Sequence, residues 1–179
     1  MRPSRAKAGK PLALKPQDVV VAARLAVEAG PWTFERLADE LGMSTQTVHE
    51  SVQRLAVARL FNPIRRRLAR HEFLEFAEHG LRYAFPAQPA QKRVAGVPTG
   101  VSAPPLAKKI LAGDEVAVVW QSRRGTAQGR KVAPLHAKAP AAAEKNPRLH
   151  EMLALLDAIR IGGAREREVA TEELRARLA

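Results

Sequence analysis

The residues best equipped for specific chemistry lie in "GMSTQTVHESVQRL", Gly42 to Leu55. Thr45, Gln46, His49, Glu50 and Gln53 carry short hydrogen-bonding heads of mixed donor and acceptor character. Glutamine can bond an adenine edge in the DNA major groove, glutamate can accept from cytosine, and threonine can touch the thymine methyl group. A merely solvated helix face carries Lys/Glu pairs instead, and this strip does not. Ser44 and Thr47 open the same segment, where the free N–H groups of a helix start suit a phosphate. Arg65, Arg66 and Arg67 follow closely and suit the sugar–phosphate backbone.

Other constellations offer little. His71 and His79 stand among Glu72, Glu75 and Glu78, but their separation is about two helical turns, too far along the axis for one metal ion. The chain has no cysteine, so disulfides, thiolate–zinc sites and thiol nucleophiles are excluded. "RRGTAQGRK" is basic and glycine-containing but lacks the Walker pattern. No nucleophile–base or paired-carboxylate motif stands out. The expectation is a protein that is not an enzyme and uses no cofactor.

The polar strip must be positioned by helices. Patterning starts at Pro16, with Asp18 complementing the helix dipole and Val20, Ala23, Leu25 and Val27 forming an apolar face that ends at Gly30-Pro31. Thr33 caps a second helix carrying Phe34, Leu37, Ala38 and Leu41. Gly42 supplies the turn, and Ser44 caps a third helix running to about Arg59. Helices crossing over so short a turn need a small residue where backbones meet, here Ala38. With Val48, Val52 and Leu55 inward, the five polar residues face out and Arg54 lies at the edge. Ser51 is a deviation where an aliphatic residue would be usual.

Net charge supports a polyanionic partner: 30 Lys+Arg stand against 18 Asp+Glu, a net of +12. At 46% hydrophobic and only 4% aromatic residues, the core must be aliphatic. No apolar run approaches the roughly 20 residues of a membrane span, and "MRPSRAKAGKPLALKP" lacks the apolar segment of a secretory signal, so a cytoplasmic location is expected.

The organisation expected is a mainly α protein with small β content (α+β), in four parts. Residues 1–15 form a basic flexible arm and 16–85 the DNA-binding unit. Residues 86–107, rich in Pro, Ala and Gly, form a linker or surface loop. Residues 108–179 form a β-hairpin and helices for dimerisation or partner binding. Within these parts, Leu60-Phe61 is a short strand broken by Asn62-Pro63, Leu68 to His79 a helix, and Leu81–Phe85 a strand. "EVAVVWQ" (Glu115–Gln121) and "RKVAPLH" (Arg130–His136) make the hairpin. Leu149, Met152, Leu153, Leu156 and Ile159 form a stripe for a core or a dimer interface.

The run "FERLADELGMSTQTVHESVQRLAVARLF" resembles the winged helix–turn–helix of bacterial transcriptional regulators, of the broad MarR-like or GntR-like type. It matches at Leu37-Ala38, Leu41-Gly42-Met43-Ser44, Val48, Leu55 and the exit at Leu60-Phe61. The resemblance covers about residues 16–85. It implies a dimeric repressor reading the major groove with helix 44–59 through Ser44, Thr45, Gln46, Thr47, His49, Glu50, Gln53 and Arg54, its partner being double-stranded DNA. Such domains add a β-hairpin wing. Here the second wing strand looks replaced by "NPIRRRLARHEFLEFAEHG", mostly helix, so that Arg65, Arg66 and Arg67 take over the backbone contacts. A weaker resemblance, carried by "SAPPL" after the helix–turn–helix, is to regulators encoded beside nucleotidyltransferase-type toxins. It implies an antitoxin whose C-terminal half binds its toxin and whose N-terminal half autoregulates.

Overall fold

The structure, a computed structural model, describes residues 12–110 and 116–179. The first eleven residues of the expected arm, and Glu115 of the expected hairpin, lie outside that range. The described residues form eight helices and two small sheets, a mixed α and β architecture. No described helix is long and apolar enough to cross a membrane.

The first helix, α1 (Pro16–Ala26), begins with a proline whose fixed φ suits that position, and the Asp18 carboxylate accepts the Lys15 N–H at 2.8 Å. It is buried from Asp18 to Ala26, so the apolar face expected there is nearly the whole helix. Thr33 caps α2 (Phe34–Leu41) by accepting the Arg36 N–H at 3.2 Å. That helix stops at Gly42, whose φ of +64° lets the Met43 N–H reach the Ala38 carbonyl at 2.9 Å. Ser44 then caps α3 (Thr45–Val57) through the Thr47 N–H at 3.1 Å. Leu37, Ala38, Leu41, Val48, Val52 and Leu55 are all buried, as the turn chemistry required. The end of α3 is unusual. Arg59 takes a left-handed conformation (φ +61°), and the Leu60 N–H returns to the Leu55 carbonyl at 2.8 Å.

After α3 the structure departs from the sequence reading. Phe61–Asn62 (β1) and Arg67–Leu68 (β2) pair antiparallel, Phe61 opposite Leu68 and Asn62 opposite Arg67. A second wing strand therefore exists where the sequence reading had none, and the helix expected from Leu68 to His79 follows it. The Asn62 side chain closes the hairpin by accepting the N–H groups of Ile64 (3.1 Å) and Arg65 (3.0 Å), and Arg66 takes φ +50°. Arginine at a position that usually wants glycine, on strands of two residues, leaves no periodicity to read. Helix α4 (Arg70–His79) starts only after it. The strand expected at Leu81–Phe85 is instead the short helix α5 (Leu81–Ala84). Gly80 caps the end of α4 in a right-handed conformation, and the chain turns at once into α5; Leu81 is buried, Phe85 packs on Phe76, and Tyr83 faces solvent, a helical rather than alternating spacing.

The stretch 86–107 is not simply a linker, because it contains β3 (Arg93–Pro98). This strand pairs antiparallel with both β4 (Val118–Gln121) and β5 (Ala127–Lys131), while β4 and β5 pair parallel, closing a three-stranded barrel. The expected hairpin between the last two is thus corrected: β3 stands between them on one side. Closure this tight brings backbones together at Gly96, where a Cβ would meet the Trp120 carbonyl oxygen at 2.1 Å.

Three helices complete the chain: α6 (Ala139–Lys145), α7 (Pro147–Ile161) and α8 (Ala164–Leu178). From Met152 to Arg160 every residue of α7 is buried. Its leucine stripe is consumed within the chain and offers no dimer interface. Asp157 on α7 accepts from Thr99 Oγ1 (2.9 Å), Trp120 Nε1 (2.7 Å) and Arg160 Nη1 (2.6 Å), tying the helix to the barrel. Burial pushes its carboxyl up from the ordinary value, while Arg160 and the two neutral donors pull against that rise. The apolar core is continuous from α1 to α8, so the expected boundary at 86–107 does not divide it.

Candidate nucleic-acid interface

Thr45, Gln46, His49 and Gln53 are exposed on α3, and Thr47 and Glu50 are half-buried beside them. Six of the sequence-selected residues therefore share one outward strip. Ser44, also exposed, spends its hydroxyl on the helix cap and on Thr47 Oγ1 at 2.8 Å.

Arg54 does not belong to this surface. Its side chain is only 4% exposed, and its guanidinium grips the fully buried Asp18 with two hydrogen bonds of 2.8 Å. A third reaches Ser51 Oγ at 3.2 Å, which explains the small polar residue on the inner face of α3. The Asp18 hydrogen bond holds the Arg54 guanidinium above its already high ordinary value, so it stays charged. Arg54 is a clamp between α1 and α3.

Arg65 and Arg66 occupy the hairpin tip and Arg67 its second strand, all three exposed. The tip is held in place by Trp32, a residue sequence reasoning passed over. Trp32 Nε1 donates to the Arg66 carbonyl at 3.0 Å, and the Arg66 guanidinium lies 4.8 Å from the Trp32 ring. Phe34 links this to the polar strip of α3: its ring sits 5.2 Å from Trp32 and 5.0 Å from the His49 imidazole. A ladder Arg66–Trp32–Phe34–His49 thus runs from the tip to α3. A cleft of about 1010 Å³ beside the tip continues the basic surface, with Arg65, Arg66, Arg67 and Arg70 facing one carboxylate, Glu28.

Two further cations border the strip. Arg59 is exposed at its C-terminal end. Lys138, from the C-terminal half, lays its side chain within 3.8–3.9 Å of the Cβ position of Gly42, beside the turn into α3. Only the packing of α6 near α2 brings it there, so local sequence carries no signal for it. Among the described residues Arg59, Arg65, Arg66, Arg67 and Lys138 form no ion pair. Arg24 and Arg36, by contrast, are spent on Glu28 and Glu40 between α1 and α2. Unpaired cations around a strip whose one acidic side chain is Glu50 can hold a polyanion while leaving the strip's hydrogen-bonding groups free.

No protein-family model, curated protein or solved structure matches this chain.

Proposed function

We propose that the chain is a sequence-specific regulator that binds double-stranded DNA as a winged helix–turn–helix protein. Helix α3 enters the major groove, and the β1–β2 hairpin is the wing, lying on the flanking backbone through Arg65 and Arg67. The observation carrying this reading is the aromatic ladder, which fixes an arginine-rich hairpin tip beside the exposed polar face of α3. Arg59 and Lys138 supply phosphate contacts at the two ends of the strip.

Genome-wide footprinting of the tagged full chain, followed by titration of the recovered site, tests the proposal. Gln46→Ala and His49→Ala are expected to weaken the recovered site more than random duplex. Arg65→Ala is expected to weaken both alike and to lower the salt slope by about 1. Unchanged operator affinity in both helix variants defeats the groove reading. The symmetry of the footprint reports whether two copies bind together.

A further inference from the structure

The centre of the reading strip is not a set of independent side chains. Gln46 Nε2 donates to Glu50 Oε1 at 3.1 Å, and Glu50 Oε2 lies 3.6 Å from Arg54 Nη1. Arg54 is in turn fixed by its two bonds to buried Asp18. The line Gln46, Glu50, Arg54 follows one face of α3 at four-residue spacing and is anchored in the core at its inner end. Asp18 and Arg54 cancel in charge, so Glu50 leaves a net negative charge in the middle of a surface bordered by arginines and a lysine.

This arrangement decides what the strip shows to solvent. A carboxylate only accepts, so it draws the amide nitrogen of Gln46 toward itself and turns the Gln46 carbonyl oxygen away. Glu50 is 45% exposed and keeps unused lone pairs. The middle of the strip therefore presents acceptors. In the major groove adenine and cytosine offer an exocyclic amine, whereas guanine and thymine offer carbonyl oxygens.

Resting on the DNA-binding reading above, we infer that Glu50, paired with Gln46, sets specificity by taking a base with an exocyclic amine and rejecting guanine and thymine. The amine is adenine N6 or cytosine N4. Arg54 is the positioning residue that aims the carboxylate.

The test is selection from randomised duplex DNA with the full chain and with Glu50→Gln, followed by titration of single-base variants of the recovered motif. Glutamine is nearly isosteric and both donates and accepts, so the fold is kept while the acceptor bias is lost. The wild-type chain is expected to prefer adenine or cytosine at one position by about tenfold or more over guanine and thymine. Glu50→Gln should abolish that preference, bind random duplex at least as well, and unfold at the wild-type temperature. Replacing the preferred adenine by purine, or the preferred cytosine by 2-pyrimidinone, removes only the amine and identifies its source by the loss of affinity. A motif whose base preferences are unchanged in Glu50→Gln overturns the inference alone. A wild-type chain that enriches no motif overturns the DNA-binding reading and this inference with it.

Discussion

Arg54→Met should separate folding from phosphate binding. The substitution keeps most of the side-chain volume but leaves the Asp18 carboxylate, which is fully buried, without its counter-charge. Two charge-assisted bonds of 2.8 Å disappear, and only the Lys15 N–H remains on that carboxylate. Removing one partner of a buried pair costs about 3–5 kcal/mol. In a chain of this size that corresponds to a fall of roughly 6–20 °C in midpoint. Urea denaturation followed by circular dichroism measures the loss, with an unchanged slope marking an intact native state. Asp18→Asn combined with Arg54→Met should cost less than the sum of the two, since neither charge is then left alone. On the folded protein, the salt slope of binding to random DNA should equal that of the wild type, because the guanidinium reaches no phosphate. A stability loss below about 1 kcal/mol would refute the clamp. A salt slope lower by about 1 would return Arg54 to the proposed DNA-binding surface.

Arg59→Gly should raise stability by about 0.5–1 kcal/mol, by relieving the left-handed backbone at the end of α3, and should weaken binding to random duplex. Chemical denaturation and a binding titration would show these opposite signs together. Trp32→Ala removes both the hydrogen bond and the ring beneath Arg66, so amide hydrogen exchange in residues 61–68 should accelerate while α7 stays protected. Stability should also fall in acid. Burial opposes ionisation of Glu28 most strongly, but the Arg36 hydrogen bond, the Gly30 N–H and the charges of Arg24 and Arg36 outweigh it and hold its carboxyl low. The hydrogen bonds from Lys109 and then Arg177 hold the Glu173 carboxyl low as well. Both groups therefore add stability above their unfolded value of 4.5, and that contribution drains away as pH falls through their lower folded values. Urea midpoints measured on either side of that window should differ, and Glu173→Gln should shrink the difference.

What could be read from sequence was local. The frame of Leu37, Ala38, Gly42, Val48 and Leu55 acts within two helices and one turn, and those residues sit where their types require. The exposure of Thr45, Gln46, His49 and Gln53 follows from the same frame. What failed depended on distant partners. Arg54 looks like an edge cation until Asp18, far away in sequence, is seen facing it. β3 hides in a Pro/Ala-rich stretch because its pairing partners lie beyond a further segment, and its Gly96 reads as a breaker although it permits close approach. The β1–β2 hairpin is too short to carry a period and is set by one asparagine and one left-handed arginine.

The all-round burial of α7 has a consequence for how this chain can be cut and recombined. On one side α7 packs against α1; on another its Arg160 holds the Phe85 carbonyl at 2.9 Å. Arg70 grips the Ala26 carbonyl in α1 and the Arg177 carbonyl in α8 together. A cleavage in the Pro/Ala-rich stretch would strip the N-terminal helices of the wall they lean on, and both pieces would expose apolar surface meant for each other. The N-terminal helices are therefore not a cassette that can be transplanted onto another protein. With one continuous apolar core they are expected to fold and melt with the rest of the chain, so substitutions in the polar strip of α3 are best measured in the whole chain.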